Sequence, residues 1–265
     1  MDAREFYDVL GDDYDLMVSW EERLSREETF FRRVFDEAGV REVLDAACGT
    51  GMHAVAFARW GFESAGADLS PVMIARAREN ARSARVDVDF RVAGFGEMAA
   101  AFQGSFDAVT CLGNSLPHLV HDAALGACMS DFASLVRPGG ILVIQNRNYD
   151  RLLRERHRFM PLAARADGEG ETLFLRITDF PCPGNSPEES INFTLVTLRH
   201  RGGIWSQSVR STPLRALRRT TLEKVLAEAG FSSVRVYGGY NMEPYNAPDA
   251  GDLVAVAVRS PNTAR

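Results

Sequence analysis

Apolar residues recur along the first half of the chain with two different periods. Helical spacing over residues 22–39, ending at Gly39, predicts an amphipathic helix with a glycine stop. Short apolar runs predict strands in residues 41–51, 63–70, 88–94, 106–114 and from Ile141 onward. A turn at residues 137–140 closes the last of the intervening helices, which are predicted at residues 53–61, 71–82 and 122–136. This alternation predicts βαβ units and a parallel sheet with helices on both faces.

The pattern changes after residue 150. Alternating apolar and polar positions predict antiparallel strands at residues 172–180, 190–203 and 204–217. Gly202 and Gly203 supply a hairpin signal between the last two. We interpret residues 151–215 as an insertion that covers one edge of the main sheet. One more helix and two more strands are predicted in the segments TLEKVLAEAGF, SVRVYGGY and DLVAVAVRS.

The first predicted strand runs into a glycine loop, VLDAACGTG, at residues 43–51. In α/β sheets ligands bind beyond the carboxyl ends of the strands, and glycines there allow a ligand to approach the backbone. A tight turn without a ligand is the alternative. Asp68, at the end of the second strand, is placed to accept hydrogen bonds from both hydroxyls of a ribose. The alternative for Asp68 is a helix cap, a role for which Ser70 competes. Together the loop and Asp68 favour a nucleoside ligand.

The residues after the loop indicate which nucleoside. Dinucleotide sites carry a third glycine where this chain has His53 or Ala54. The loop is therefore poorly suited to bind a phosphate group. S-adenosylmethionine has a ribose but no phosphate, and its charged end is an amino acid, so the loop favours S-adenosylmethionine as the cofactor.

The composition and net charge of the chain limit the classes of partner that it is expected to bind. The 265 residues are 46% hydrophobic and 25% charged, as in ordinary globular proteins, and the net charge of −6 gives no general attraction to nucleic acid or anionic membranes. The N-terminus lacks the apolar core of a signal peptide, and no apolar run is long enough to span a membrane. Four scattered cysteines, without metal-ligand spacing, predict buried free thiols and no metal site. We expect a cytoplasmic protein with a small-molecule substrate.

Several segments, in this order, resemble a known family. VLDAACGTG, FDAV, LVRPGGILVI and EAGF look like a class I S-adenosylmethionine-dependent methyltransferase. Within that class, YDLMVSWEERLSREETFF (14–31), CLGNSLPHL (111–119) and PGGILVIQNRNYD (138–150) resemble the glycine N-methyltransferase and glycine/sarcosine N-methyltransferase group.

The resemblance implies an α/β fold, with a Rossmann-like seven-stranded methyltransferase sheet and an antiparallel β insertion or lid. It also implies four segments. Residues 1–40 form an N-terminal helical segment that covers the cofactor, and residues 41–150 form the Rossmann-like core that binds S-adenosylmethionine. Residues 151–215 form the lid, and residues 216–265 complete the core sheet. A homo-oligomer is compatible with the resemblance, because related enzymes form dimers or tetramers.

The apolar fifth strand ends in an arginine between two asparagines, and the resemblance gives this pattern a function. Arginine pairs bidentately with carboxylates. In the resembled group the arginine of this segment holds the carboxylate of the amino-acid substrate, which implies that role for Arg147. The alternative is a structural arginine that caps the strand end. Asn114 is implied to lie near the amine or carboxylate of the substrate, with a left-handed turn residue as its alternative.

Cofactor contacts are implied for residues of the N-terminal segment, the glycine loop and the strand ends. They are Tyr14, Trp20, Arg23, Ala47, Gly49, Gly51, Asp68, Leu69, Met73, Gly94, Phe95, Leu112 and His118. Phe95 and Leu69 would flank the adenine base, although both suit a plain core position equally. His118 alone would suit a structural role, and Arg23 has neighbouring acids on its helix as alternative partners.

Methyl transfer from a sulfonium requires positioning more than acid–base chemistry. We therefore assign no general base and expect a closed site from which water is excluded. The resemblance implies N-methylation of a small amine such as glycine or sarcosine. The inserted strands, however, lack the tyrosines of the resembled group and carry Phe174, Phe193, Trp205, Ser211 and Thr212. Gly94 also stands where the group often has asparagine.

Three alternatives to the amino-acid enzyme remain. A larger amine, in a natural product or an amino sugar, is one, although Arg147 favours a carboxylate. A non-catalytic cofactor-binding protein is another, which the presence of both Asn114 and Arg147 disfavours. A nucleic-acid methyltransferase is disfavoured by the acidic charge and by GNSLP, which stands where the N/D-P-P-Y/F motif is expected.

Overall fold

The computed structural model describes residues 2–168, 170–180 and 190–261. The helices are α1 (Ala3–Met17), α2 (Trp20–Ala38), α3 (Met52–Arg59), α4 (Pro71–Ala84), α5 (Met98–Ala101), α6 (Asp122–Leu135), α7 (Tyr149–Glu155) and α8 (Arg219–Glu228), with a single 3₁₀ turn at Leu116–His118. The strands are β1 (Glu42–Ala46), β2 (Glu63–Asp68), β3 (Asp89–Val92), β4 (Phe106–Cys111), β5 (Val136–Arg147), β6 (Ala163–Asp167), β7 (Gly170–Asp179), β8 (Ser190–Arg201), β9 (Ile204–Arg215), β10 (Phe231–Tyr237) and β11 (Asp252–Arg259).

Seven strands form the main sheet, in the order β10-β11-β5-β4-β1-β2-β3. The strands from β3 to β5 pair in parallel, whereas β11 runs antiparallel to both of its neighbours. The predicted fold class, a Rossmann-like seven-stranded sheet with a separate antiparallel sheet, is confirmed.

Burial explains why the central strands have apolar sequences. Leu44, Val109 and Leu142, on three adjacent parallel strands, are completely inaccessible to solvent, because helices cover both faces of the sheet. The helix α2 buries Phe31 and Phe35 at the spacing that the sequence pattern indicated, and it ends before Gly39, whose φ is +62°.

The segment at residues 137–140 differs from its prediction as a turn. It lies within β5, but the register with β4 passes from Val136 opposite Phe106 to Ile141 opposite Ala108, so residues 137–140 bulge out of the pairing. Gly139 adopts a φ of +78°, and a Cβ on Gly140 would lie 2.6 Å from the Asp107 carbonyl oxygen. The two glycines therefore let an irregular strand begin where a turn was expected. The pattern of apolar and polar residues did not predict β6, α5 or α7 as separate elements.

The second sheet is antiparallel, in the order β6-β7-β8-β9. Arg201 pairs with Ile204 across a two-residue turn, and Gly202 and Gly203 have φ values of +56° and +78°. The predicted hairpin is therefore confirmed. The second sheet contacts α1 through an ion pair between Arg199 and Asp13. The boundaries of the four predicted segments remain a prediction.

Cys48, Cys111 and Cys128 are buried free thiols, and Cys182 lies outside the described residues. Within the described ranges no helix has the length and apolarity needed to cross a bilayer.

Candidate functional site

The glycine loop joins β1 to α3 through three residues in the left-handed region. Ala47, Gly49 and Gly51 have φ values of +57°, +55° and +75°. A Cβ on Gly51 would lie 2.6 Å from Phe90, so this position accepts only glycine. By contrast, a Cβ on Gly49 would find nothing nearer than a Tyr14 ring carbon at 3.9 Å. Gly51 therefore shapes the loop, and Gly49 leaves open space above it.

Asp68 stands at the carboxyl end of β2, beside the loop. Its carboxylate accepts hydrogen bonds from the backbone N–H groups of Gly49 and Ser70, both at 2.9 Å. Burial raises the pKa of Asp68 above its usual value although these two hydrogen bonds act to lower it. The cap of α4 is Ser70, whose Oγ accepts from the Met73 N–H at 3.1 Å. Ser70, and not Asp68, therefore caps α4, and Asp68 lines a pocket.

That pocket has a volume of about 190 Å³. Asp68 and the loop form one side of it, and Leu69 and Phe95 contribute apolar surface. Tyr7 and His118 also line it, and the Tyr7 hydroxyl lies 3.1 Å from His118 Nε2. Burial lowers the pKa of His118 to about 4, so its imidazole is neutral near pH 7.

A small slot of about 20 Å³ lies next to the loop, lined by Trp20, Arg23, Asp45 and Leu112 among others. Asp45 is 1% exposed; one of its oxygens accepts from Thr110 Oγ1 at 2.8 Å, and the other, Oδ2, has no hydrogen-bond partner. Burial raises the pKa of Asp45 to about 6. The slot therefore contains a buried carboxylate oxygen that can accept a hydrogen bond.

Arg23 belongs to a buried charge cluster. Its Nε donates to Glu27 Oε1 at 2.8 Å, and Glu27 Oε2 lies 2.7 Å from His53 Nε2. Burial acts to raise the pKa of Glu27, but the contacts with His53 and Arg23 outweigh it and lower the pKa. Arg23 also stacks 5.3 Å from the centroid of the Trp20 ring. Glu27 is thus the neighbouring acid that was expected as an alternative partner of Arg23, and Arg23 also lines the slot.

A large cavity, of about 860 Å³, lies where α1 and the second sheet face the carboxyl ends of the main strands. Asn114 and Arg147 both line it. Asn114 adopts a φ of +66°, its Oδ1 accepts from the Arg147 N–H at 3.0 Å, and its Nδ2 donates to the Tyr149 hydroxyl at 3.0 Å. Asn114 is therefore a left-handed turn residue, as its alternative predicted, and it also faces the cavity.

Arg147 reaches toward the second sheet. Its Nη1 lies 3.5 Å from Thr178 Oγ1, and it forms no ion pair within 4.0 Å among the described residues. Burial lowers its pKa. Asp252 stands directly opposite Arg147 in the pairing of β11 with β5, but its carboxylate accepts from the Gln145 amide at 3.0 Å.

The cavity, the pocket and the slot meet, since Tyr14 and Gly113 line all three. Every predicted site residue lines at least one of them except Gly51 and Gly94. Sequence reasoning did not name Tyr7, Asp45, Arg176 and Asp252 as site residues, although all four line these spaces. Arg176 interrupts an apolar run in β7, which was the available signal for it.

Comparisons with known proteins identify a matching domain family and similar proteins. A family model described as a methyltransferase domain matches residues 43–140. The glycine/sarcosine N-methyltransferase of Parasynechococcus marenigrum is 30% identical over 93% of this chain and 82% of its own length. That of Aphanothece halophytica is 30% identical over 96% of this chain and 89% of its own.

Solved structures give the same fold. The CcbJ methyltransferase of Streptomyces caelestis superposes with a TM-score of 0.77 at 20% identity, covering 98% of this chain and all of that one. CalS10, an amino pentose methyltransferase of Micromonospora echinaspora solved with S-adenosylmethionine bound, superposes with a TM-score of 0.69 at 21% identity over 92% of both chains.

Proposed function

This chain belongs to the class I S-adenosylmethionine-dependent methyltransferases, in the group of the glycine/sarcosine N-methyltransferases, and we propose that its acceptor is the amine of an amino acid whose carboxylate binds Arg147. One observation carries the proposal: Arg147 is a largely buried guanidinium that lines the large cavity without an ion-pair partner among the described residues. A buried cation of this kind is stabilised by an anion, and a carboxylate matches its planar donors.

The residues around the pocket and the slot fit the cofactor. Asp68 offers carboxylate oxygens to the ribose hydroxyls, and Leu69 and Phe95 offer apolar surface to the adenine. In the slot, the unpartnered Asp45 Oδ2 fits an ammonium group, and Arg23 fits a carboxylate. These are the two charged groups of the methionine portion of S-adenosylmethionine, so the polar residues of the slot suit that portion of the molecule.

Positioning is the main task of the chain in this reaction. When bound, S-adenosylmethionine supplies an electrophilic methyl group on a sulfonium. Arg147 holds the acceptor by its carboxylate, so that its amine points toward the junction where Tyr14 and Gly113 meet all three spaces. Good alignment of two reactants can contribute about 7–11 kcal/mol to lowering a barrier. No residue is required as a strong base, because a free amine carries its own lone pair.

Tyr14 and Trp20 contribute aromatic surface at the junction and in the slot. Aromatic rings favour a nearby cation by about 0.5–2 kcal/mol, which suits a sulfonium. The helix α1 carries Tyr14 and covers the pocket, and it is pinned to the core where Thr50 Oγ1 donates to Asp15 at 2.6 Å. We expect this cover to keep water away from the reacting groups.

The amino-sugar alternative has weaker support. The amino pentose methyltransferase matches in fold at 21% identity, whereas the relatives at 30% identity are named for glycine and sarcosine. A cytoplasmic location, a homo-oligomeric assembly and the absence of nucleic-acid and membrane partners remain predictions.

Turnover to S-adenosylhomocysteine with glycine, sarcosine, dimethylglycine and a panel of larger amines tests the proposal. We expect Arg147→Ala to lower kcat/KM for carboxylated amines about 100-fold, or ~3 kcal/mol, because a charge-assisted hydrogen bond is lost. Arg154→Ala, on the exposed face of α7, is the matched control and should change little. Reaction with carboxylate-free amines alone, or an unchanged Arg147→Ala enzyme, would contradict the proposal.

A further inference from the structure

The second sheet presents another arginine to the large cavity. Arg176 lies on β7 between Phe174 and Thr178, which are both completely buried. Because side chains two residues apart on a strand point the same way, Arg176 projects from the inner face of this sheet. One of its terminal nitrogens donates to the Pro161 carbonyl at 2.9 Å. Its Nε is buried and has no hydrogen-bond partner.

Arg176 and Arg147 approach the same part of the cavity from different sheets. Arg147 contacts Thr178, which is the next residue after Arg176 on that face of β7. Burial lowers the pKa of Arg176, and the charge of Arg147 lowers it further, so the two guanidinium groups repel each other. Two buried like charges are costly unless an anion lies between or beside them.

The acids that line the cavity do not balance its arginines. Four arginines line it, Arg23, Arg26, Arg147 and Arg176, against two acids, Glu27 and Asp252. Glu27 is bound to Arg23 and His53, and Asp252 accepts from Gln145 while it faces Arg147 across the strand pair. Arg176 forms no ion pair among the described residues. A cavity with a net positive charge of two, in a chain of net charge −6, attracts anionic ligands.

The size of the cavity agrees with its charge. Its volume of about 860 Å³ is additional to that of the 190 Å³ pocket assigned to the adenosine, which it meets at Tyr14 and Gly113. Sites of roughly 300–1,000 Å³ hold ligands of drug-like size. An amino acid without a side chain, anchored at Arg147, would leave the space beside Arg176 unfilled.

We propose that Arg176 binds a second anionic group of the acceptor, so that the enzyme prefers amino acids with an acidic side chain, the dicarboxylic class. This inference rests on the proposed function, since it takes Arg147 as the anchor of the first carboxylate. Arg176 then discriminates between acceptors by the charge of their side chains. An acceptor with a neutral side chain leaves Arg176 Nε buried and unpaired, which costs affinity.

Isosteric pairs of acceptors test the proposal. The measurement is kcat/KM for aspartate against asparagine and for glutamate against glutamine, with saturating S-adenosylmethionine. We expect the wild-type protein to prefer the acidic member of at least one pair by about 10- to 100-fold, the usual value of a charge-assisted hydrogen bond. In Arg176→Gln that ratio should fall to about one, and Arg176→Lys should restore part of it.

Arg158→Gln is the matched control, because Arg158 is an exposed arginine paired with Asp179 outside the cavity. It should keep the wild-type ratio. The wild-type ratio needs no variant, so the test stands even if Arg176→Gln fails to fold. A wild-type ratio of one or less, or a ratio that Arg176→Gln leaves unchanged, overturns the inference. Turnover of glycine without any acidic preference overturns this inference alone, whereas no turnover of any carboxylated amine overturns the proposed function.

Discussion

The backbone N–H of Arg147 donates to the side-chain Oδ1 of Asn114 at 3.0 Å, and this hydrogen bond joins the ends of two neighbouring strands. The Nδ2 of Asn114 donates to the buried Tyr149 hydroxyl. Asn114 therefore fixes the backbone from which the Arg147 side chain projects. Its amide retains one N–H and one lone pair, so it can also contact the acceptor.

Substitutions of Asn114 should separate its effect on the stability of the fold from its effect on binding of the acceptor. Asn114→Ala leaves the Arg147 N–H and the Tyr149 hydroxyl unpaired and should lower the free energy of unfolding by about 1–3 kcal/mol. Asn114→Asp keeps an acceptor for both groups but adds a negative charge that competes for Arg147. We expect Asn114→Asp to retain most of the stability and to raise KM for a carboxylated acceptor. Thermal unfolding and steady-state kinetics measure the two effects; equal KM values for the wild-type and Asp proteins would contradict the arrangement.

Asp68 and Ser70 should affect different properties. Asp68→Asn should raise the Kd for S-adenosylmethionine about 10- to 100-fold, since a charged acceptor for the ribose hydroxyls is lost. Ser70→Ala removes the cap of α4 and should cost ~1 kcal/mol of stability with little change in that Kd. Calorimetric titration and thermal unfolding of both variants check this. If Ser70→Ala weakened the binding as much as Asp68→Asn, the assignment of Asp68 to the ribose would be wrong.

Asp45 should make cofactor binding depend on pH. Burial raises its folded pKa to about 6 from 3.8, so the free protein keeps Asp45 protonated below about pH 6. Only the ionised carboxylate pairs with an ammonium group, and the affinity for S-adenosylmethionine should therefore rise as the pH increases through about 6.

The effect of Asp45 on the free energy of unfolding has the opposite pH dependence. A raised pKa of a carboxyl favours the folded state below the unfolded pKa of 3.8, and that contribution is lost as the pH rises through about 6. Asp45→Asn should flatten the pH dependence of both the Kd and the unfolding temperature between pH 4 and 7. Two parallel pH profiles, wild type beside variant, would contradict the role of Asp45.

Much of the fold could be predicted because its signals are local. Helical spacing identified α2, and two consecutive glycines identified the hairpin between β8 and β9. Residues 137–140, predicted as a turn between a helix and a strand, instead form an irregularity within β5, because Val136 and Ile141 pair with β4 on either side of them.

The sequence by itself determined the order of most strands and helices, the glycine loop and the position of Asp68 beside it, since these depend on residues close together in the chain. Only the tertiary structure decided what surrounds Arg147. Asp252 lies opposite it and Arg176 approaches from a second sheet, at separations of 105 and 29 residues along the chain. Periodicity indicates which face of a strand is buried, but not which other buried face it meets. The charge and size of the large cavity follow from that packing.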